Sequence, residues 1–197
     1  MKLRKGEWFV VLFNLAYIIP FTLFYLSIKN YEFLWYVLVL VGFALLIGLT
    51  LRKTNFDYLA LWGLTFWGLL HMAGGGLIVG DGVLYALEIW KIANVGDTYF
   101  IKFDQFVHAF GFGVSTIVAY QLLKPRVKKM HLGLLYGLCF FIAMGAGALN
   151  EVVEFMAVVV ATETGVGGYF NTGLDLVSNM IGSFIALFII HLKYERR

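Results

Sequence analysis

Apolar residues along the chain gather into six runs of about 20 residues each, separated by short polar connections. They cover residues 8–28, 33–51, 58–79, 103–123, 131–160 and 174–192. Runs of this length predict transmembrane helices, and six of them predict an all-α polytopic membrane bundle with 1–197 as a single integral membrane domain. The first run follows the basic segment Met1-Lys-Leu-Arg-Lys5. It is too long for a signal-peptide core and no small-x-small cleavage site follows it, so it reads as a retained helix, kinked at Pro20. The longest connection, 80–102, lies between runs three and four. Within it 83–95 is apolar, with Glu88, Trp90 and Lys91 along it, and predicts a short outer helix lying in the membrane interface.

Composition narrows the class further. Hydrophobic residues make up 61% of the 197 and charged residues only 14%, with a mean hydropathy of +0.84. A soluble domain of this size leaves roughly 30% of its chain surface in water and cannot hide so much apolar area. This excludes a soluble enzyme, a nucleic-acid binder and a disordered regulator. The net charge of +3 is a topology signal instead. Twelve of the 15 Lys and Arg fall at the N-terminus, the Arg52-Lys53 turn, the 124–129 turn and the C-terminal tail, leaving Lys29, Lys91 and Lys102 for the other side. That bias predicts both termini in the cytoplasm, in the plasma (inner) membrane of a bacterium or archaeon. The lone Cys139 permits no intrachain disulfide.

Ionisable residues inside membrane spans cost about 2.5–3.5 kcal/mol each, so each one is a functional hypothesis. Here they are His71, Asp104, His108, Glu151, Glu154 and Asp175, joined by Asn150 and Asn179. Asp104 and His108, and Asp175 and Asn179, are four residues apart; Glu151 and Glu154 are three apart. Each pair therefore shares a helix face. The predicted orientation puts Asp104 at the outer mouth of span four and His108 about 6 Å deeper. Asp175 and Asn179 match those heights on span six, Glu151 lies about 30 Å along span five, and His71 about 20 Å along span three. One outer-leaflet site is predicted. Four carboxylates without a Lys or Arg inside the spans could cost on the order of 10 kcal/mol. Divalent cations, bound protons or a water-filled cavity would offset this, so a metal site, a proton or ion path and a structural polar core all stay open. The metal reading makes His71, Asp104, His108 and Asp175 ligands, Glu151 and Glu154 catalytic carboxylates, and Asn150 and Asn179 supporting groups. Mixed imidazole and carboxylate donors suit Zn, Mn, Fe or Mg.

The glycines read mainly as sites of close helix approach, while Gly74-Gly-Gly76 also has the reading of a helix break aiming His71. Trp8, Trp35 and Tyr99 read as interface anchors, and His131 and His191 as flanking residues.

Four short elements resemble the YjdF-like inner membrane proteins and, more distantly, the VanZ-like family, over about the last two-thirds of the chain. They are His71-Met-Ala-Gly-Gly75, Phe103-Asp-Gln-Phe-Val-His-Ala-Phe110, Asn150-Glu-Val-Val-Glu154, and Asn171-Thr-Gly-Leu-Asp-Leu176 with Gly182. The YjdF-like pattern has Tyr at the positions of Phe103 and Asn150 and an acid at Asn171. The Asp175-x-x-x-Asn179-x-x-Gly182 arrangement is closer to the VanZ-like one. The resemblance implies a helical membrane fold and a polar site, and no particular reaction.

Three functions fit these residues. The first is a metal-dependent hydrolase or transferase acting at the outer leaflet on a membrane lipid or lipid-linked small molecule, with Glu151 or Glu154 as general base. The second is a proton- or ion-coupled transporter, against which stand the placement of the acids at one face and the absence of a visible inverted repeat. The third is a non-catalytic scaffold or lipid-binding protein whose polar cluster specifies helix packing.

Overall fold

The computed structural model describes residues 3–95, 97–127, 129–160 and 168–196. Its α-helices are α1 (Lys5–Ser27), α2 (Tyr31–Thr54), α3 (Tyr58–Gly76), α4 (Phe103–Leu123), α5 (Leu132–Val160) and α6 (Tyr169–Ile190). A π-helical stretch, His191–Glu195, continues α6. All helices but α3 are long and apolar enough to cross a membrane. In α3, 19 residues long, Trp62, Thr65, Trp67, His71 and the terminal glycines dilute the aliphatic residues. The chain forms two compact units, Met1–Asp104 and Gln105–Arg197.

In the first unit, α1, α2 and α3 are joined by tight turns with side-chain caps. Asn30 accepts from the Phe33 amide at 3.1 Å to open α2, and Asp57 accepts from the Ala60 amide at 3.0 Å to open α3. Asn55, left-handed at φ 50°, closes α2. Hydrocarbon offers no hydrogen-bond partners, so the polar groups pair between helices. Asn14 of α1 donates to Thr65 Oγ1 of α3 at 2.8 Å, and the Tyr25 hydroxyl donates to the Met72 carbonyl at 2.5 Å. Tyr17, Tyr25, Val37 and Met72 form the core around these ties. The glycine triple does not break α3. All three glycines are buried, and a Cβ on Gly74 or Gly75 would collide with the rings of Tyr85 or Phe33. Close aromatic packing is their role.

The expected interfacial helix over 83–95 is not formed. After α3, β1 (Ile78–Val79) pairs with β2 (Gly82–Val83), and Leu84–Ala86 make a single 3-10 turn. Then β3 (Glu88–Val95) pairs antiparallel with β4 (Asp97–Lys102), with Trp90 opposite Ile101 and Lys91 opposite Phe100. The cause is composition: Ile89, Ile92, Val95, Thr98, Tyr99, Phe100 and Ile101 are β-branched or aromatic and favour a pleated pair over a helix.

The second unit is apolar outside and buries a cluster of polar residues beside its apolar core. Phe141 is 71% exposed and Leu149 68%, whereas Gln105, His108, Thr116, Glu151, Asp175, Asn179 and Ser183 are buried. A water-soluble bundle does not expose so many large apolar side chains, and the outer face of this one suits lipid. On α5 the buried line Leu135, Cys139, Ala143, Gly147 and Glu151 recurs every four residues. Helices α4 and α6 touch through glycine: a Cβ on Gly113 would stand 2.9 Å from the Gly182 carbonyl oxygen, and one on Gly182 would strike the Ala109 backbone. At one end of the unit Glu195 accepts from Tyr120 and Lys124, Gln121 donates to Tyr194 at 3.0 Å, and Tyr136 meets His191 at 3.3 Å. These ties set the C-terminal ends of α4 and α6 beside the start of α5. Helices α4 and α6 therefore run one way and α5 the other.

Candidate metal centre

At the opposite end of the second unit, α6 presents Asn171, Asp175, Asn179 and Ser183 at intervals of four, one stripe on one face. The Asn171 amide donates to Asp175 Oδ2 at 2.6 Å. From α4, Gln105 Nε2 donates to Asp175 Oδ1 at 2.6 Å and to Asn171 Oδ1 at 3.2 Å. Both oxygens of this fully buried carboxylate thus receive an amide hydrogen, which fixes its plane. One turn along α4, His108 places Nδ1 3.1 Å from Asn179 Oδ1 and 3.6 Å from Glu151 Oε1 of α5. Asn150 donates to Glu154 Oε1 at 2.7 Å, one turn along that helix. Gly147 makes room for the arrangement, because a Cβ there would stand 2.5 Å from Asn179 Nδ2.

Asp104 lies in the first turn of α4, four residues before His108, so the helix that carries His108 also carries it. Two groups of three result: Asp104, His108 and Asp175, and His108, Glu151 and Glu154. Within each group, one ligand atom per residue lies within 4.8 Å of the others. Both groups could hold a metal ion, and His108 belongs to both.

Five of the residues expected at one site are therefore brought together: Asp104, His108, Glu151, Glu154 and Asp175, with Asn150 and Asn179 bonded to members of the set. His71 is in neither group. It sits on α3 of the first unit, its Nδ1 2.5 Å from the Tyr85 hydroxyl and its ring edge-on to Tyr36 with centroids 5.0 Å apart. Sequence reasoning missed Gln105, Asn171 as a donor to Asp175, and Ser183. The four-residue ladder 171, 175, 179, 183 was the available signal for the last two. Gln105 carried no such signal, because it neighbours Asp104 and falls outside the i, i+4 pair.

Two further polar atoms bear on the chemistry. Asn179 Nδ2 and Ser183 Oγ, both on fully buried residues, have no hydrogen-bond partner among the described residues. An unmet buried donor costs about 1–3 kcal/mol, and internal water or a bound ligand normally meets it. The donor set itself is mixed imidazole nitrogen and carboxylate oxygen without thiolate, a set that suits Zn, Mn, Fe or Mg. Ligands about 2.1 Å from such an ion stand about 3.0–3.4 Å from their neighbours. The 3.6 Å separation of His108 Nδ1 from Glu151 Oε1 is somewhat longer than those edges, and the 3.1 Å one to Asn179 Oδ1 is a hydrogen bond.

No curated protein and no solved structure matches the chain. A model of the family described as predicted membrane protein (DUF2238) matches residues 9–196, which takes in the whole centre and all of the helical bundle except the first four residues of α1. The chain therefore belongs to DUF2238, a family of predicted membrane proteins.

Proposed function

We propose that this integral membrane protein binds a divalent cation at the His108 centre and uses it as a hydrolase or transferase on a lipid or lipid-linked substrate. The observation that carries the reading is the convergence of two His/carboxylate groups on one buried histidine, inside helices whose outer surface is apolar. Asp104, His108 and Asp175 hold the ion. When bound, it supplies Lewis acidity toward a carbonyl or phosphoryl oxygen. Glu151 or Glu154 takes the proton from the attacking water or hydroxyl. His71, engaged with Tyr85, has no ligand role in this reading.

In the same proposal α3 is a sixth span. Its 19 residues extend about 28 Å, close to the ~30 Å hydrocarbon core. With six spans, the concentration of basic residues on one side supports cytoplasmic termini and a centre toward the outer face of a bacterial or archaeal plasma membrane. The elements around His71, Asp104, Glu151 and Asp175 also support kinship with YjdF-like and VanZ-like proteins. A carrier is less well supported than an enzyme. Beyond Ser183 the buried positions of α6 are Ala186 and Ile190 and those of α5 are Ala143 and Cys139, while on α4 Thr116 spends its hydroxyl on the Phe112 carbonyl, so the seam carries no further acid or histidine among these described positions.

The test is metal content by inductively coupled plasma mass spectrometry of purified protein, beside an Asp104→Asn/His108→Ala double variant. The expected result is near-stoichiometric metal in the wild type and its loss in the variant. A folded wild type without metal overturns the proposal. A purely structural cluster would show itself through Glu151→Gln lowering stability with metal content unchanged.

A further inference from the structure

We propose that Asn179 is a positioning residue for the cation ligand His108: its side-chain oxygen holds the ring proton on Nδ1, so that Nε2 carries the lone pair that meets the ion. This rests on the cation-binding reading above. A neutral imidazole has one N–H and one lone pair, and the hydrogen bond made by one nitrogen decides the role of the other. Asn179 Oδ1 stands 3.1 Å from His108 Nδ1 and can only accept, so Nδ1 donates. Glu151 Oε1, 3.6 Å from the same nitrogen, is beyond hydrogen-bond length, but its charge favours a proton over a lone pair there. Exchanging the two ends of the amide would set the Nδ1 lone pair beside that carboxylate oxygen.

Packing holds the amide in place. Asn179 is fully buried, and its carboxamide lies against Gly147 of α5, where a Cβ would stand 2.5 Å from Nδ2 and 3.1 Å from Cγ. The same Cβ would stand 3.5 Å from Phe112 Cε1, and the Phe112 ring packs beside His108 with centroids 5.8 Å apart. Glycine at 147 thus seats a carboxamide with little room to turn, and α5 and α6 together orient an imidazole carried by α4. The same lock separates the two groups that share His108. A nitrogen that carries a proton cannot ligate, so the ion meets the ring at Nε2 with Asp104 and Asp175. Glu151 faces the protonated nitrogen, which suits it to proton transfer rather than ligation. Metal-binding histidines are commonly held this way by an acceptor on the second nitrogen, and losing that acceptor typically weakens metal binding 10–100-fold.

The experiment is long-range ¹H–¹⁵N correlation NMR of the metal-free, full-length protein labelled with ¹⁵N-histidine in lipid nanodiscs, followed by equilibrium dialysis against Mn²⁺. Only four histidines contribute signals, and a His108→Ala spectrum identifies the one of interest. The expected result is a proton on Nδ1 and a lone pair on Nε2. Asn179→Asp, which keeps an oxygen at the same place, should preserve that tautomer. Asn179→Leu should release it, as should Gly147→Ala by displacing the amide, and both should weaken Mn²⁺ binding about 10–100-fold. A wild-type His108 protonated on Nε2 overturns the proposal even where every variant fails to fold. So does an Asn179→Leu protein that loses stability but keeps the Nδ1 proton and its Mn²⁺ affinity. A wild type with the Nδ1 proton that takes up no Mn²⁺ overturns the cation reading instead, and leaves the hold of Asn179 on the ring standing.

Discussion

Gln105 of α4 and Asp175 of α6 are joined by a 2.6 Å hydrogen bond from Nε2 to Oδ1, between two fully buried side chains. Interhelical hydrogen bonds in membranes average about 0.6 kcal/mol and reach about 1.7, and bonds to charged groups lie at the upper end. Gln105→Leu should therefore lower unfolding stability by about 1–2 kcal/mol in detergent. It should also weaken metal retention several-fold by releasing the plane of Asp175. Thermal unfolding and metal content of the same sample check both. Unchanged retention would show that Asp175 needs no orientation.

The α4–α6 crossing predicts a sharp contrast between two glycines. A Cβ on Gly182 strikes the Ala109 backbone, where no side chain can move aside, whereas one on Gly145 meets nothing within 4 Å. Gly182→Ala should cost about 1–3 kcal/mol or more through overpacking. Gly145→Ala should be neutral or stabilising by up to about 1 kcal/mol, because it favours the helix. Monodispersity on size-exclusion chromatography and the unfolding midpoint separate them.

A ligand that binds the folded state alone stabilises it by about 2.7 kcal/mol at a hundred times its dissociation constant. Chelation should thus lower the unfolding temperature of the wild type, and readdition of the metal should restore it. Asp175→Asn should start lower and respond more weakly to either treatment. Calorimetry in the presence and absence of chelator provides the comparison, and equal responses of the two proteins would remove Asp175 from the ligand set.

Topology can be read with a membrane-impermeant maleimide. In a Cys139→Ala background, Lys29→Cys should be labelled in intact cells, while Lys53→Cys should be labelled only after permeabilisation. Labelling of both from outside would overturn the six-span arrangement.

Much of the helical pattern was legible because hydrophobic length is a strong, local signal. The fourth run and α4 share the bounds 103 and 123, and the fifth differs from α5 by one residue. The sixth run begins at 174 in the hydropathy pattern but α6 starts at Tyr169, since Asn171 reads as connection until its side chain acquires Gln105 and Asp175 as partners. The β3–β4 hairpin is hidden from hydropathy, because its signal lies in β-branched and aromatic residue types and not in apolar length. Within the centre, the acids and His108 stood out because ionisable groups are costly in hydrocarbon. Gln105 and Ser183 are uncharged and carry no such cost; the four-residue ladder on α6 points to Ser183, whereas only its neighbours on α6 reveal Gln105.

The 29 residues of α5 extend about 43 Å, well beyond a hydrocarbon core of about 30 Å. Such hydrophobic mismatch is relieved by tilting, by local thickening of the bilayer, or by carrying the last turns out past the acyl chains. Glu151 lies about 28 Å from the first residue of α5, so in the proposed six-span arrangement it would stand where hydrocarbon gives way to headgroups. On that arrangement bilayer thickness would act on the centre: lipids with longer acyl chains should draw Glu151 and Glu154 under the headgroup boundary, and shorter ones should lift them toward the bathing ions.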